Sequence, residues 1–329
     1  MVAIPSLGSS LAGARAKVRR AEHHIRALKR SLKHFTDRAP YDVVAEQAHS
    51  DVLVNPAYLG WGRTKERRRG PLLLPPFVPE YEPKVLAHGL YVAISLVPRI
   101  APPYLRWGII LGDAVHNLRS ALDHLVWELV KVNPHPPPVP DEPKELRHFQ
   151  WRSKRIAFPI CDEREKWPEA ADRCLFFVDP ATSAVLQEAQ PFYAWEHGWE
   201  GESVHDHPLR VLRELSNRDK HQAINLSTAA VAFRGAVLSL PGLLDHPLQL
   251  GPKVGEDILL RPIEGKTQLK IAFVQTREPF EVPTELQVHV NADLALGILF
   301  GEEEPVRGVV LDVLADARDE VVRLLDRFA

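Results

Sequence analysis

Apolar residues recur at alternating steps of three and four positions near both ends of the chain. The N-terminal set predicts a helix over residues 11–36 and comprises Leu11, Ala14, Val18, Ala21, Ile25, Leu28, Leu32 and Phe35. The C-terminal set predicts another helix and comprises Val310, Leu314, Ala317, Val321, Leu324 and Phe328. Such heptad-type seams need a partner, because a helix isolated in water is marginally stable. The two helices either pack on each other or form the seam of a dimer.

Three further helices are predicted between these ends. Residues 105–132 have a broad apolar face and predict a second long helix, which stops before the proline cluster at 134–143. Residues 181–190 and 208–219 predict shorter helices.

Strand-like runs occupy the remaining parts of the chain. LYVAISLV at 90–97 is typical of a strand, and five more runs separated by glycine and proline lie between Ala223 and Val290: AINLSTAAVAF, AVLSL, DILL, LKIAFVQ and LQVHV. The sequence therefore predicts an α+β fold, with long helices at both ends and a strand-rich C-terminal half.

Composition excludes several classes of protein. The 329 residues are 45% hydrophobic and 26% charged, which is typical of a folded globular chain. No apolar run approaches the roughly 18 residues that a membrane-spanning helix needs, so we expect no membrane partner. Cys161 and Cys174 form neither a CxxC pair nor a disulfide framework. This cysteine usage is typical of proteins of the reducing cytoplasm, which is the expected location.

Positive charge is concentrated in the first hundred residues. They hold 16 Lys and Arg against 8 Asp and Glu, whereas the rest of the chain holds 25 against 35. This asymmetry indicates either a nucleic-acid contact region or an electrostatic match between parts of the chain. The candidate RNA-binding arginines lie on the first helix and in the loop 63–70, and comprise Arg19, Arg20, Arg26, Arg30, Arg67, Arg68 and Arg69.

The helix over residues 105–132 carries an unusual polar face. Its polar positions are Asp113, His116, Asn117, Arg119, Ser120, Asp123 and His124, beside Trp127. A solvated helix face is normally rich in Glu and Lys, which favour the helix more than Asp, Asn, Ser or His. These residues therefore indicate either a buried hydrogen-bond network that fixes helix packing or a chemical site.

A second polar cluster, Ser216–His221, ends the helix predicted over 208–219. An exposed helix terminus explains such a cluster equally well, since Lys and His in the last turn favour the helix dipole. Each of the two clusters, however, contains Asn, Asp, His and a cation, which are side chains suited to phosphate binding. Lys220 and His221 would add phosphate contacts if the second cluster folds onto the first.

The segment RSALDH, Arg119–His124, resembles the Arg-x4–6-His motif of the HEPN superfamily, whose helical members include metal-independent ribonucleases. HNLRSALDHLVW followed by NRDKH at 217–221 also resembles a group of uncharacterised bacterial proteins. A second match, Arg19 to His24, lacks the wide apolar face and polar neighbours of the first. The resemblance implies a HEPN-like helical core over about residues 105–225.

The resemblance implies a specific chemistry. His124 would transfer protons, Arg119 would bind the phosphate and stabilise transition-state charge, and three further residues would orient them: Asn117, Asp123 and His116. The 2′-hydroxyl of RNA would attack the adjacent phosphate in a composite site of a homodimer. The substrate would be RNA, including tRNA, and a cognate antitoxin would be a further partner. The biological role would be phage defence or growth arrest. No cofactor and no metal are expected.

Two alternatives remain open from the sequence. His205 and His207 form an HxH pair, which is a frequent zinc-ligand spacing, so a metal-dependent hydrolase is one alternative. A HEPN-like module that binds nucleic acid or a partner without cleavage is the other, with the aromatic residues at 192–195 as either a recognition loop or core. Dinucleotide, P-loop and GxSxG motifs do not occur.

The sequence thus predicts five consecutive regions. These are a basic N-terminal helix at 1–49, a strand and proline-rich loop region at 50–100, a HEPN-like helical core at 101–222, a strand-rich region at 223–300, and a C-terminal helix packing on the core at 301–329.

Overall fold

A computed structural model describes residues 6–54, 85–201, 203–221, 224–239, 248–250, 261–262, 267–275, 289–301, 306 and 308–329. The chain divides into two compact units. Unit 1 comprises Met1–Lys33, Pro103–Ser227 and Ile298–Ala329, and unit 2 comprises His34–Pro102 and Thr228–Gly297. Each unit therefore joins segments that are distant in the chain, rather than following the five consecutive regions.

Helices dominate unit 1. They are α1 (Ala12–Thr36, whose end belongs to unit 2), α2 (Tyr104–Lys131), α3 (Pro143–Ser153), α4 (Trp167–Cys174), α5 (Pro180–Glu188), α6 (Pro191–Glu196), α7 (Pro208–His221) and α8 (Val310–Asp326). Short 3-10 turns occupy Gly8–Leu11, Arg164–Lys166 and Val204–Asp206. Of these helices, α1, α2, α5, α7 and α8 lie where apolar periodicity predicts them.

The core of unit 1 forms around α2. Its apolar face is fully buried from Leu111 to Leu125, and α2 packs against both α7 and α8. All six apolar seam residues of α8 are buried as well. Each fully buried leucine contributes about 1.5–3 kcal/mol relative to an exposed one, so this face holds the helices together.

The N-terminal and C-terminal segments also meet in unit 1. The backbone N–H of Leu7 donates to the Phe328 carbonyl at 2.7 Å, and Arg15 Nη2 lies 3.1 Å from Asp326 Oδ1. The seam residues of α1 up to Leu32 are buried except Ile25, which is half-buried. The apolar seams are therefore covered within the chain, and a dimer that uses them is not needed to bury them.

The strands form two antiparallel sheets. β1 (Tyr41–Val54) pairs with β2 (Val85–Pro98) along its whole length, from Tyr41 opposite Pro98 to Val54 opposite Val85, and β6 (Thr267–Gln275) pairs with the other edge of β2. In the second sheet, β3 (Leu226–Ser239) pairs with β4 (Leu248–Leu250), β5 (Arg261–Pro262) and β7 (His289–Phe300).

These strands differ from the predicted ones in two ways. The sequence places 41–49 in the region of the N-terminal helix, whereas the chain enters β1 at Tyr41. The two runs predicted at 223–233 and 236–240 join in the single strand β3. The run DILL at 257–260 lies outside the described residues, and a strand-rich C-terminal half stays a prediction.

No helix among the described residues is both long enough and apolar enough to cross a membrane.

Candidate functional site

A cavity of about 500 Å³ in unit 1 brings together residues of both polar clusters. Arg119 of α2 lines it, together with Ser216, Asn217 and Lys220 of α7. The remaining walls come from the segment 158–166 and from one side of α4. The two clusters therefore share one concave surface, although about a hundred residues separate them in the chain.

Arg119 is held in this wall by its neighbours. Its Nη2 donates a hydrogen bond to the Phe158 carbonyl and lies 3.3 Å from Asp123 Oδ1. The same Asp123 oxygen accepts the Phe158 backbone N–H at 2.9 Å. Because these contacts tie the segment 158–162 to α2, Arg119 and Asp123 have a structural role in addition to any chemical one.

Asp162 and Arg213 form an ion pair with two parallel hydrogen bonds in the wall of the cavity. Arg213 donates from Nη1 to Asp162 Oδ1 at 3.1 Å and from Nη2 to Oδ2 at 2.8 Å, while Arg210 Nε lies 3.6 Å from Oδ2. The hydrogen bonds from Arg213 lower the pKa of the Asp162 carboxyl to about 2. This carboxylate is therefore permanently charged near neutral pH and neutralises one of the cavity's arginines.

The free energy of unfolding is expected to depend on pH through Asp162. Its pKa falls from 3.8 to about 2 on folding, so the stabilisation is complete above pH 4 and is lost as the pH falls towards 2. The loss amounts to about 2 kcal/mol. Urea denaturation at several pH values measures it, with Asp162→Asn as the control that cannot titrate. Equal acid sensitivity of the two proteins would contradict the assignment.

Cations outnumber acids on the cavity walls. The cationic lining residues are Arg119, Lys166, Arg173, Arg213 and Lys220, against the acids Asp162 and Glu169. Four of the five cations are nevertheless ion-paired: Arg119 with Asp123, Lys166 with Glu163, Arg173 with Glu169 and Arg213 with Asp162. Lys220 has no ion-pair partner in the part of the chain that the structure describes. Lys220 is therefore the lining cation best placed to bind an anionic ligand, since a charge-assisted hydrogen bond from Lys binds phosphate strongly.

The outward stripe of α2 lies beside this cavity. Steps of three and four positions place its members on one side of the helix, and they are Leu105, Ile109, Asp113, His116, Ser120, His124 and Trp127. His116 is exposed, and its Nε2 lies 3.5 Å from Ser120 Oγ. His116 stands one helical turn before Arg119, which lines the cavity, whereas His116 is not itself a lining residue.

Asp219 of α7 reaches the same part of α2. A Cβ on Gly112 would lie only 2.1 Å from Asp219 Oδ1, so glycine at this position makes room for the carboxylate. Burial and the neighbouring Asp113 raise the pKa of Asp219, while His116 opposes that rise. His24 of α1 lies near Asp113, with His24 Nδ1 3.8 Å from Asp113 Oδ2. Burial lowers the pKa of His24.

The motif histidine does not join Arg119. Five positions along a helix correspond to a rotation of about 140°, and the His124 ring turns towards α1, where a Cβ on Gly13 would lie 3.2 Å from Nδ1. His124 is exposed and does not line the cavity. Asn117 is buried and donates to the Asp113 carbonyl at 2.7 Å, which is a packing role.

The other predicted RNA-binding residues are dispersed. Four arginines are exposed on α1, namely Arg19, Arg20, Arg26 and Arg30. Arg67, Arg68 and Arg69 and the side chain of His221 lie outside the described part of the structure. Of the predicted RNA-binding residues whose side chains are described, Lys220 alone lines the cavity.

His205 and His207 have different environments. His205 is exposed, whereas His207 is buried and its Nδ1 accepts the Leu209 backbone N–H at 3.3 Å at the start of α7. Burial lowers the pKa of His207. Among the described residues, no group of three or more His, Cys, Asp and Glu side chains is arranged to hold a metal ion. The position of His207 is better explained by its hydrogen bond at the N-terminus of α7 than by metal binding.

Sequence reasoning missed several cavity residues. Asp162 and Arg213 lie 51 positions apart and carry no local motif, so only their pairing in space reveals them. Cys161 and Cys174 also line the cavity, and burial raises the pKa of the Cys161 thiol. No protein-family model, curated protein or solved structure matches this chain.

Proposed function

We propose that the protein is a metal-independent endoribonuclease of the HEPN type that binds an RNA phosphate in the cavity between α2, α4 and α7. The observation that carries this proposal is the presence of Arg119 and Lys220, from two distant polar clusters, on the walls of one cavity. Arg119 already lies in a hydrogen-bonded frame with Phe158 and Asp123. A preorganised cation stabilises charge that develops in a transition state more than a mobile one does.

The proposed reaction is an intramolecular transesterification. The 2′-oxygen of the ribose forms a bond to the adjacent phosphorus, the bond from phosphorus to the 5′-oxygen breaks, and the products are a 2′,3′-cyclic phosphate and a 5′-hydroxyl. One proton leaves the 2′-hydroxyl and one is delivered to the departing 5′-oxygen. Arg119 and Lys220 would hold the non-bridging phosphate oxygens, because both side chains donate charge-assisted hydrogen bonds.

His116 is the proposed proton-transfer residue. It is exposed and stands one helical turn from Arg119, whereas His124 turns towards α1. Histidine is the side chain whose charge most readily changes near neutral pH. Asp219, whose carboxylate packs against Gly112 of α2, lies within electrostatic reach of His116.

A homodimer through the outward stripe of α2 is part of the proposal. The stripe is apolar at both ends, with Leu105 72% exposed, Ile109 59% and Trp127 45%, and His116 lies at its middle. Antiparallel packing of two copies about His116 would place Leu105 of each helix near Trp127 of the other, as a two-fold axis requires. By resemblance, the enzyme would act in the cytoplasm in phage defence or growth arrest, under control of an antitoxin.

A binding module without turnover is the second candidate. The observation that favours it is the orientation of His124, which leaves the motif arginine without the motif histidine. The cavity and its cations would then bind an RNA phosphate without cleaving it.

Cleavage of bulk tRNA and of a labelled single strand in excess EDTA tests the proposal. We expect EDTA-resistant cleavage that leaves a cyclic phosphate, and a decrease of about 10- to 150-fold for Arg119→Ala, because a hydrogen bond to a charged group contributes about 1.5–3 kcal/mol. Arg106→Ala, which removes an exposed arginine from the same helix, is the matched control. Thermal unfolding monitors the structural role of Arg119. RNA binding without cleavage would support the binding module, and cleavage unaffected by Arg119→Ala would contradict the site.

A further inference from the structure

Helix α3 presents a row of cations and aromatic rings on the outside of unit 1. None of its residues is buried. Lys144, His148, Trp151 and Arg155 follow one another at steps of four, three and four positions, so they form a single row that begins in α3 and continues just beyond its end. We call this row the α3 row.

The rings and charges of the α3 row are in contact. The rings of His148 and Trp151 stack with 5.6 Å between centroids and 4° between planes. The Arg155 guanidinium lies 4.0 Å from the Trp151 ring centroid. Trp151 is nevertheless 42% exposed, so part of this large apolar ring remains available to a ligand.

An open groove of about 860 Å³ runs beside the row. Its apolar lining comes from Phe149, Phe176 and three prolines at 137, 138 and 140, and its charged lining comprises Lys144, Arg147, Arg152 and the single acid Glu145. Arg152 is paired with Asp172, whereas Lys144 and Arg147 form no ion pair with any residue that the structure describes. The groove therefore combines flat apolar surfaces with a small excess of positive charge.

We propose that the α3 row and its groove are a base-stacking subsite for single-stranded RNA. This inference rests on the proposed function for the identity of the ligand. Single-stranded RNA offers two features that match the surface: unpaired bases that stack on tryptophan, histidine or arginine planes, and a phosphate chain that attracts lysine and arginine. An acidic peptide would satisfy the cations but would leave the exposed face of Trp151 without a flat partner.

The position of α4 connects this subsite to the cavity. On one side of α4, Ala170 and Arg173 line the cavity, and on another side Asp172 accepts a hydrogen bond from Arg152 of α3 at 2.6 Å. The same short helix therefore borders the cavity and contacts α3.

Binding of a single-stranded oligonucleotide tests the inference directly. The probe is a fluorescein-labelled 2′-deoxy 12-mer, which cannot be cleaved by 2′-hydroxyl attack, and its Kd is measured by anisotropy in EDTA. Trp151→Ala is expected to raise the Kd about 5- to 150-fold, because stacking of one base on an aromatic side chain contributes on that scale. Trp151→Phe, which keeps a flat ring, is expected to retain most of the affinity.

Val132→Ala is the control, since Val132 just after α2 is an apolar residue of equal exposure, at 42%. We expect its Kd to equal that of the unmodified protein, and a blunt duplex of the same length to show no dependence on Trp151. An unchanged Kd for Trp151→Ala, or an equal loss for Val132→Ala, would overturn the inference. Failure of the proposed function would appear separately, as a Trp151-dependent Kd in a protein that does not cleave the matching RNA.

Discussion

His116→Ala is expected to lower the rate of RNA cleavage in EDTA by about 10²–10⁴-fold, the usual effect of removing a general acid or base. The reason is its position on the exposed side of α2, one helical turn from the cavity residue Arg119 and within electrostatic reach of Asp219. We expect His124→Ala to retain most of the activity, because its ring faces α1 instead of the cavity. Single-turnover cleavage of a labelled strand with saturating protein measures both rates without contributions from product release.

The opposite result would identify a different site. If His124→Ala abolishes cleavage and His116→Ala does not, then the His116 assignment is wrong and the motif assignment from family resemblance is correct. Arg119 and His124 would then have to meet across two copies of the chain. Mixing Arg119→Ala with His124→Ala protein would restore activity in that case, because the mixed dimer contains one intact pair. His135→Ala, an exposed histidine after α2, controls for general effects of the substitution.

Trp107→Ala is expected to reduce the free energy of unfolding by about 3–5 kcal/mol, as large-to-small substitutions in a packed core do. Trp107 is fully buried near the start of α2, and its Nε1 donates to Ser31 Oγ of α1 at 3.0 Å. The substitution leaves a cavity and also leaves the Ser31 hydroxyl without this donor. Urea denaturation followed by circular dichroism at neutral pH measures the change.

Two further variants separate packing from hydrogen bonding at this position. Trp107→Phe keeps an aromatic ring and removes the donor, and we expect it to cost about 0.5–1.5 kcal/mol beyond the change in ring size. Trp195→Ala removes an exposed tryptophan and should change stability by less than about 0.5 kcal/mol. A Trp107→Ala protein as stable as the Trp195→Ala control would show that α1 and α2 do not pack through Trp107.

The helices were predictable from the sequence because the apolar pattern that indicates a helix lies within a few consecutive turns. The seams of α1 and α8 and the apolar face of α2 follow the helical period, and the observed bounds agree with the predicted ones within a few residues. β1 was not predictable in the same way. Tyr41–Val54 forms a strand whose fourteen residues all pair with β2, which lies more than thirty residues further along the chain, and such pairing leaves no short-range pattern.

The candidate site was likewise predictable only in part. The unusual residue types on α2 and at the end of α7 are visible in the sequence, because Asp, Asn, Ser and His are costly choices for a helix. Their grouping is not visible, since rotation about the helix axis and the packing of α7 decide which side chains share a cavity. Arg119 and Lys220 meet there, whereas His124 faces α1 and Asn117 is buried.

The sequence by itself determined the helices with strong apolar periodicity, and it identified the two segments whose polar residues are unusual for their surroundings. The ion pair between Asp162 and Arg213, the meeting of Arg119 and Lys220 on one cavity, and the exposure of the α3 row follow from the tertiary structure alone. The physical reason is the range of the interactions. Helix formation depends on neighbours three and four positions away, whereas a cavity is made by side chains from distant segments that meet only when the core packs.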